Sequence, residues 1–425
     1  MMISILLISV FIIGYSAIAF EHPLRLNKAA SALLTGVLCW TIYTLSGHEP
    51  GKVAGELTHH LGEISSILFF LLGAMTIVEL IDSHNGFEFI TTRIRTKSKS
   101  KLLIIVTVIT FFLSAILDNL TTAIVMTSLI AKLLSDKEDR FWFAGMIVIA
   151  ANAGGAWSPL GDVTTTMLWI GGQITAVNII LKTFIPSLAV VIVPLIIASF
   201  RFKGKFLETT KAADFKSDAD REGKMMLFCG IGLLLFVPLF KTVTQLPPFM
   251  GMLMALGLLW IITTIIHSDK DDDEKKKFTV ANALQRIDTP SILFFLGILL
   301  AVAALDSVGL LKDAALFLNS TLKNDYLIGI ALGVLSAIVD NVPLVAASQG
   351  MYDLSVYPTD HVFWEFIALT TGTGGSMIII GSAAGVAIMG IEKISFGWYL
   401  KRISLLALIG FVCGVLVYIA QQSLL

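Results

Sequence analysis

Residues 2–20 carry no charged side chain. Stretches of this kind restrict the chain more than anything else in it, because at ~1.5 Å per residue a helix of that length covers one hydrocarbon core of about 30 Å. Comparable spans recur at 29–46, 65–81, 178–200, 225–241, 248–267, 290–306 and 402–421. Only 14% of the residues are charged, against ~25% in soluble proteins, too few to cover several aqueous domains. The expectation is an all-α polytopic membrane protein in a lipid bilayer, with 2–20 kept as its first span because no basic region precedes it. The longest polar segments, 201–224 and 268–289, read as solvated connectors, leaving no room for a soluble catalytic domain. A net charge of −1 gives no sign of nucleic-acid binding. Cys39, Cys229 and Cys413 sit singly inside apolar runs and read as small buried hydrophobes.

Four apolar segments are not simple crossings. Segments 101–134 and 326–350 each hold an Asp-Asn pair near the middle, Asp118-Asn119 and Asp340-Asn341. Each reads as two half-helices meeting at that pair, a re-entrant hairpin. Segments 141–171 and 362–391 are interrupted by glycines, Gly154, Gly155 and Gly161 in the first, Gly374, Gly375 and Gly381 in the second. With Pro159 added, no regular helix continues through the first. If both hairpins enter and leave on one side, 25 of the 30 basic residues fall on one face. By the positive-inside rule that face is cytoplasmic and both termini are outside.

The chain also repeats itself. Ser66-Ile-Leu-Phe-Phe recurs at Ser291, Ser114-Ala-Ile-Leu-Asp-Asn as Ser336-Ala-Ile-Val-Asp-Asn, and Gly154-Gly155 as Gly374-Gly375, at offsets of 225, 222 and 220. This divides the chain into an N-terminal repeat 1–201, a linker 202–224 and a C-terminal repeat 225–425. Five crossings, one of them broken, plus a hairpin in each half turn the second half upside down. Two inverted-topology repeats with matched interruptions point to a secondary transporter, working at the midplane and not an enzyme.

The chemistry sits at those interruptions. A carboxylate amid apolar sequence costs about 2.5–3.5 kcal/mol on insertion scales, tolerable if it faces a polar cavity, binds a cation or takes a proton. Asp118 and Asp340 fit this, with Asn119 and Asn341 as neutral oxygen ligands. Asn152, Asp162, Thr164 and Thr165 surround the first break. The second break has Thr373, Ser376 and Ser382, with Ser382 where Asp162 stands. All three Asp residues also read as helix caps, a role compatible with ion binding. Asp118, Asn119 and Asp162 are the expected cation ligands, with Asp118 foremost. Glu63 and Asp288 read as acidic residues that start their spans. His84, beside Glu79 and Asp82, reads as a solvated loop residue, and His22, His59, His60, His267 and His361 as loop or span-end residues without a metal pattern. No phosphate loop, His-Glu-x-x-His or Gly-x-Ser-x-Gly is present.

The runs Ser114-Ala-Ile-Leu-Asp-Asn-Leu-Thr-Thr122, Asn152 to Thr165 and Ser336-Ala-Ile-Val-Asp-Asn341 resemble the NhaD-type sodium/proton antiporters of the ion-transporter superfamily. The resemblance covers nearly the whole chain. It implies Na+ and Li+ export against inward H+, a homodimer, the bacterial inner membrane and no cofactor. By matching motif it carries functional roles onto Ser114, Asp118, Asn119, Asn152, Asp162, Thr164, Thr165, Ser336, Asp340 and Asn341, with Thr121 and Thr122 beside them. Dicarboxylate symporters of the superfamily carry Ser-Asn-Thr at the hairpin tips. Asp in the serine place repels an anion. The alternatives are an arsenite or other small-solute permease, or a Na+-coupled symporter, on the same fold.

Overall fold

The structure is a computed structural model, and it describes the chain except residues 1, 48, 92, 93, 95, 207–220, 272–274 and 425. Most of the 202–224 linker therefore lies outside the described residues. The described chain is helical. In order it forms α1 (Met2–Ala19), α2 (Lys28–Leu45), α3 (Pro50–Ser83), α4 (Lys99–Ser114), α5 (Asn119–Leu133), α6 (Lys137–Gly155), α7 (Val163–Ile170), α8 (Ala176–Arg201) and α9 (Arg221–Thr244). There follow α10 (Pro248–Ile266), α11 (Thr289–Ser307), α12 (Leu310–Leu322), α13 (Asp325–Leu335), α14 (Asn341–Met351), α15 (Val362–Gly374), α16 (Ala383–Glu392) and α17 (Ser404–Leu424), with short helical turns between. Seven described helices are long and apolar enough to cross a membrane. Their outer faces expose large apolar side chains, such as Leu34, Leu181, Ile196 and Ile261, a surface stable against lipid and not against water. This is a multi-pass membrane protein.

Each expected interruption is present. Segment 101–134 divides into α4 and α5, 326–350 into α13 and α14, 141–171 into α6 and α7, and 362–391 into α15 and α16. Each second half-helix starts on a side-chain cap. Asp118 accepts from Thr121 N, Asp162 from Thr164 N, Asp340 from Val342 N and Ser382 from Gly385 N. A cap of this kind offsets the backbone donors left open at a helix start.

The helices pack as two bodies. One contains α1, α2, α3, α9, α10 and α11, the other α4 to α8 and α13 to α17. In the first body α2 and α11 meet so closely that a side chain at Gly36 would press on the Gly297 carbonyl. Small residues serve this purpose between membrane helices. At the centre of the second body run α6 and α15, buried from Phe141 to Gly155 and from Phe363 to Gly374. A helix that is apolar all round belongs inside. The bodies touch where α14 meets α11 and where α7 meets α3.

Three expectations need correction. Glu63 does not start a span and His59 and His60 are not loop residues, because α3 begins at Pro50, which suits a first helical turn, and runs on through them. No proline interrupts the polar stretch 51–64, so the helix continues beyond the apolar run. Asp288 does cap its helix, accepting from Ser291 N and Oγ. His84 is buried, stacked on His267 with Phe278 beside both rings. The sequence reading also passed over α12, a helix whose apolar residues divide between buried Leu311 and Ala315 and exposed Leu316 and Phe317.

Candidate ion-binding site

The turns that join α4 to α5 and α13 to α14 are tied in the same way to the helices broken at Gly154 and Gly374. Ser114 Oγ donates to Ala151 O at 2.6 Å, and Ser336 Oγ donates to Thr371 O at 2.7 Å. A side chain at Gly154 would collide with the Phe111 carbonyl, and one at Gly374 with the Gly333 carbonyl. Glycine is needed at both places for the hairpin backbone to lie against the break. Both hairpin tips are thereby drawn to the broken segments.

Two chains of polar contacts result. In one, Asn119 Nδ2 donates to Asn152 Oδ1 at 3.1 Å, and Asn152 Nδ2 donates to Ser376 Oγ and Ser382 Oγ, each at 2.9 Å. In the other, Asn341 Nδ2 donates to Asp162 Oδ2 at 3.1 Å. Asn152 thus ties the first half of the chain to the second break, and Asn341 ties the second hairpin to the first break. The carboxylate of Asp162 can only accept, so it fixes the amide of Asn341 with Oδ1 turned the other way. Among the described residues no hydrogen bond reaches Oδ1 of Asn119 or Asn341, so each amide oxygen is without a hydrogen-bond donor.

The three carboxylates differ. Asp162 is 2% exposed, enclosed at the first break, and close enough to Asp340 and Asp118 for their charges to act on it. Asp118 accepts from Thr121 N at 2.7 Å and Thr121 Oγ1 at 2.6 Å, and opens on a cavity lined by Leu71, Leu234, Met252 and Phe295. Asp340 opens on a separate cavity toward α1 and α2, and its backbone N–H donates to Tyr15 Oη at 2.8 Å. Asp118 therefore shares no direct hydrogen bond with Asp162. The expected trio Asp118, Asn119 and Asp162 is one region spanned by two contact chains rather than one closed shell.

The remaining expected residues divide into ligating candidates and braces. Thr122 is fully buried and its hydroxyl has no partner among the described residues, so it is free to serve an ion. Thr164 is fully buried beside the Asp162 cap. Thr165 Oγ1 donates to Asp162 O at 2.9 Å and Thr373 Oγ1 to Leu369 O at 2.6 Å, so each proton is held by backbone while the oxygen keeps its lone pairs. Ser376 and Ser382 hold Asn152.

Several residues at or near the site were missed. Tyr15 and Tyr399 were not singled out from the sequence, yet Tyr15 Oη accepts from the Asp340 backbone N–H and Tyr399 Oη donates to Ser376 O at 2.8 Å. Glu365 left a signal, an acidic residue inside apolar 362–391. It is wholly buried, accepting from Asn178 and from Tyr418 Oη. It braces α15 against α8 and α17, at the far end of α15 from the break.

The chain matches the family described as Citrate transporter over residues 10–372. It is 48% identical to a protein of Arabidopsis thaliana named Sodium/proton antiporter 1, covering 97% of this chain and 72% of that one. A second Arabidopsis protein, Sodium/proton antiporter 2, is 47% identical over 97% of this chain and 98% of its own length. The Na(+)/H(+) antiporter NhaD of Alkalimonas amylolytica is 30% identical, over 97% and 89%.

Proposed function

We propose that this chain, which belongs to the citrate transporter family and stands among its NhaD-type sodium/proton antiporters, carries Na+, and Li+ by the same path, out of the cell in exchange for inward H+. The observation that carries the reading is Asp162. It is a carboxylate enclosed at a broken helix, held by Asn341 of the other half and flanked by two more Asp residues at hairpin tips. A buried carboxylate of this kind needs a cation or a proton for company. The family description names an anion, but acidic groups at the first break and at both Asp-Asn pairs repel a citrate or dicarboxylate, and the relatives just named carry cations in their names.

In this reading Asp118, Asn119 and Asp162 hold Na+, with Asn152, Thr164, Thr165, Asp340 and Asn341 around them. The carboxylates bind Na+ or H+ in turn. Two bodies that touch along few helix pairs support alternating access by movement of one against the other. Matching Ser-to-carbonyl bonds and glycine contacts at offsets of 220–222 support paired repeats, 1–201 and 225–425. An inverted second half, both termini outside, the inner membrane of a bacterium and a homodimer complete the proposal. The test is purified chain in acidified proteoliposomes with a fluorescent pH reporter. Na+ and Li+ should dequench it. Response to arsenite with none to Na+ would return the chain to the permease reading.

A further inference from the structure

Asp118 and Asp340 occupy matching places, each the cap of a hairpin's second half-helix and each opening on a cavity against the first body. Their surroundings do not match. Among the described residues the Asp118 cavity has no other charged side chain in its lining, and Asp118 itself accepts from Thr121 N and Oγ1. The Asp340 cavity is lined by Tyr15, Glu21 and Lys28, and Lys28 is the strongest charge acting on Asp340, ahead of Glu21. The charge of Asp340 also reaches Asp162.

Lys28 is also out of place by local rules. It is the first residue of α2, after the Asn27 cap, where a helix disfavours a cation. Its ammonium lies 5.0 Å from the centre of the Phe294 ring, which favours a cation there. The Phe294 face offsets the unfavourable helix end, and Glu21 and Asp340 line the same cavity as the ammonium.

We infer that the Lys28 ammonium serves Asp340 as a built-in counter-cation, so that the exchanger takes a single Na+, at the Asp118 end, where its pseudo-symmetric partner has no such charge. This deepens the Na+/H+ reading and rests on it. Two matched carboxylates invite two cations. A tethered ammonium at one of them satisfies the charge without cargo and repels a second Na+ from that cavity.

The test is equilibrium 22Na+ binding to the purified full chain, with Na+-dependent dequenching of the same preparation in proteoliposomes. The wild type should bind about one Na+ per chain with a Hill coefficient of about 1, a coefficient being bounded by the number of sites. Lys28→Gln should acquire a second Na+ and a coefficient rising toward about 2, while Lys28→Arg keeps the wild-type values. A merely structural lysine would lower activity without changing the count. Two Na+ per wild-type chain, or an unchanged count in a folded Lys28→Gln, overturns the inference and leaves exchange standing. If Lys28→Gln fails to insert, the wild-type count alone decides. A wild type that binds no Na+ sinks both.

Discussion

Asp118 caps α5 and, in the proposed exchange, also carries the ion, and one substitution separates the two roles. Asn caps a helix about as well as Asp, so Asp118→Asn should leave α5 and membrane insertion intact. It should also remove the charge and the titrating proton, cutting Na+-driven proton movement to background. Near-normal exchange at equal expression would move the proton to another residue. Asp162→Asn should cost more in apparent Na+ affinity, because it also weakens the hold on Asn341. Far from the site, His84 Nε2 and His267 Nε2 stand 2.8 Å apart, with His84 Nδ1 2.6 Å from Leu80 O. Burial pushes the His267 imidazole down to about 4, helped by the charge of Lys270. The folded state thus holds fewer protons than the unfolded one. Stability is fully present above about 6.5 and is lost as pH falls toward the folded value. Thermal unfolding in detergent should shift down by several degrees across that window, and His267→Gln should flatten the shift. An unchanged acid limb in that variant would mean another group titrates. The carboxylates of the site were legible because charge amid apolar sequence is conspicuous. The histidine pair was not, since its members are 183 positions apart and each looks like a loop residue alone.

At the scale of elements, the glycines of the breaks set how near the hairpins come. Gly154→Ala would drive a methyl group into the Phe111 carbonyl, and Gly374→Ala one into that of Gly333. Overpacking of this sort costs about 1–3 kcal/mol, and here the cost falls on hairpin position. Both variants should insert and lose most of their transport, whereas Gly257→Ala, with open space around it, should behave as wild type. Equal activity in all three would mean the tips need not touch the breaks. The four interruptions were readable because glycine, proline and Asp-Asn break apolar runs. The start of α3 was not, because hydropathy marks where lipid begins and not where a helix does. Helix α12 escaped for the opposite reason: it is too short and too mixed to read as a span.

For the molecule as a whole, the charge asymmetry makes the sharpest statement. Reporter fusions in segments 201–224 and 268–289 should report cytoplasm, and a periplasmic signal from either would refute the proposed orientation. The division into two bodies could not be read from sequence, since each body draws helices from both halves of the chain. Lys241 of α9, in one body, donates to Trp169 O at 2.8 Å at the end of α7, in the other. Lys241→Met should therefore loosen a contact between the bodies and change turnover more than Na+ affinity; equal effects on both would place Lys241 in the ion path. The crossed bonds of Asn152 and Asn341 reach further than any single conformation. In the proposed site neither half is complete, because Asp162 holds Asn341 while Asn152 is held by Ser376 and Ser382. A gene cut between the halves would yield two fragments that are each inert. Function would return only when they found one another in the same bilayer, so complementation between separately made fragments would be all or nothing.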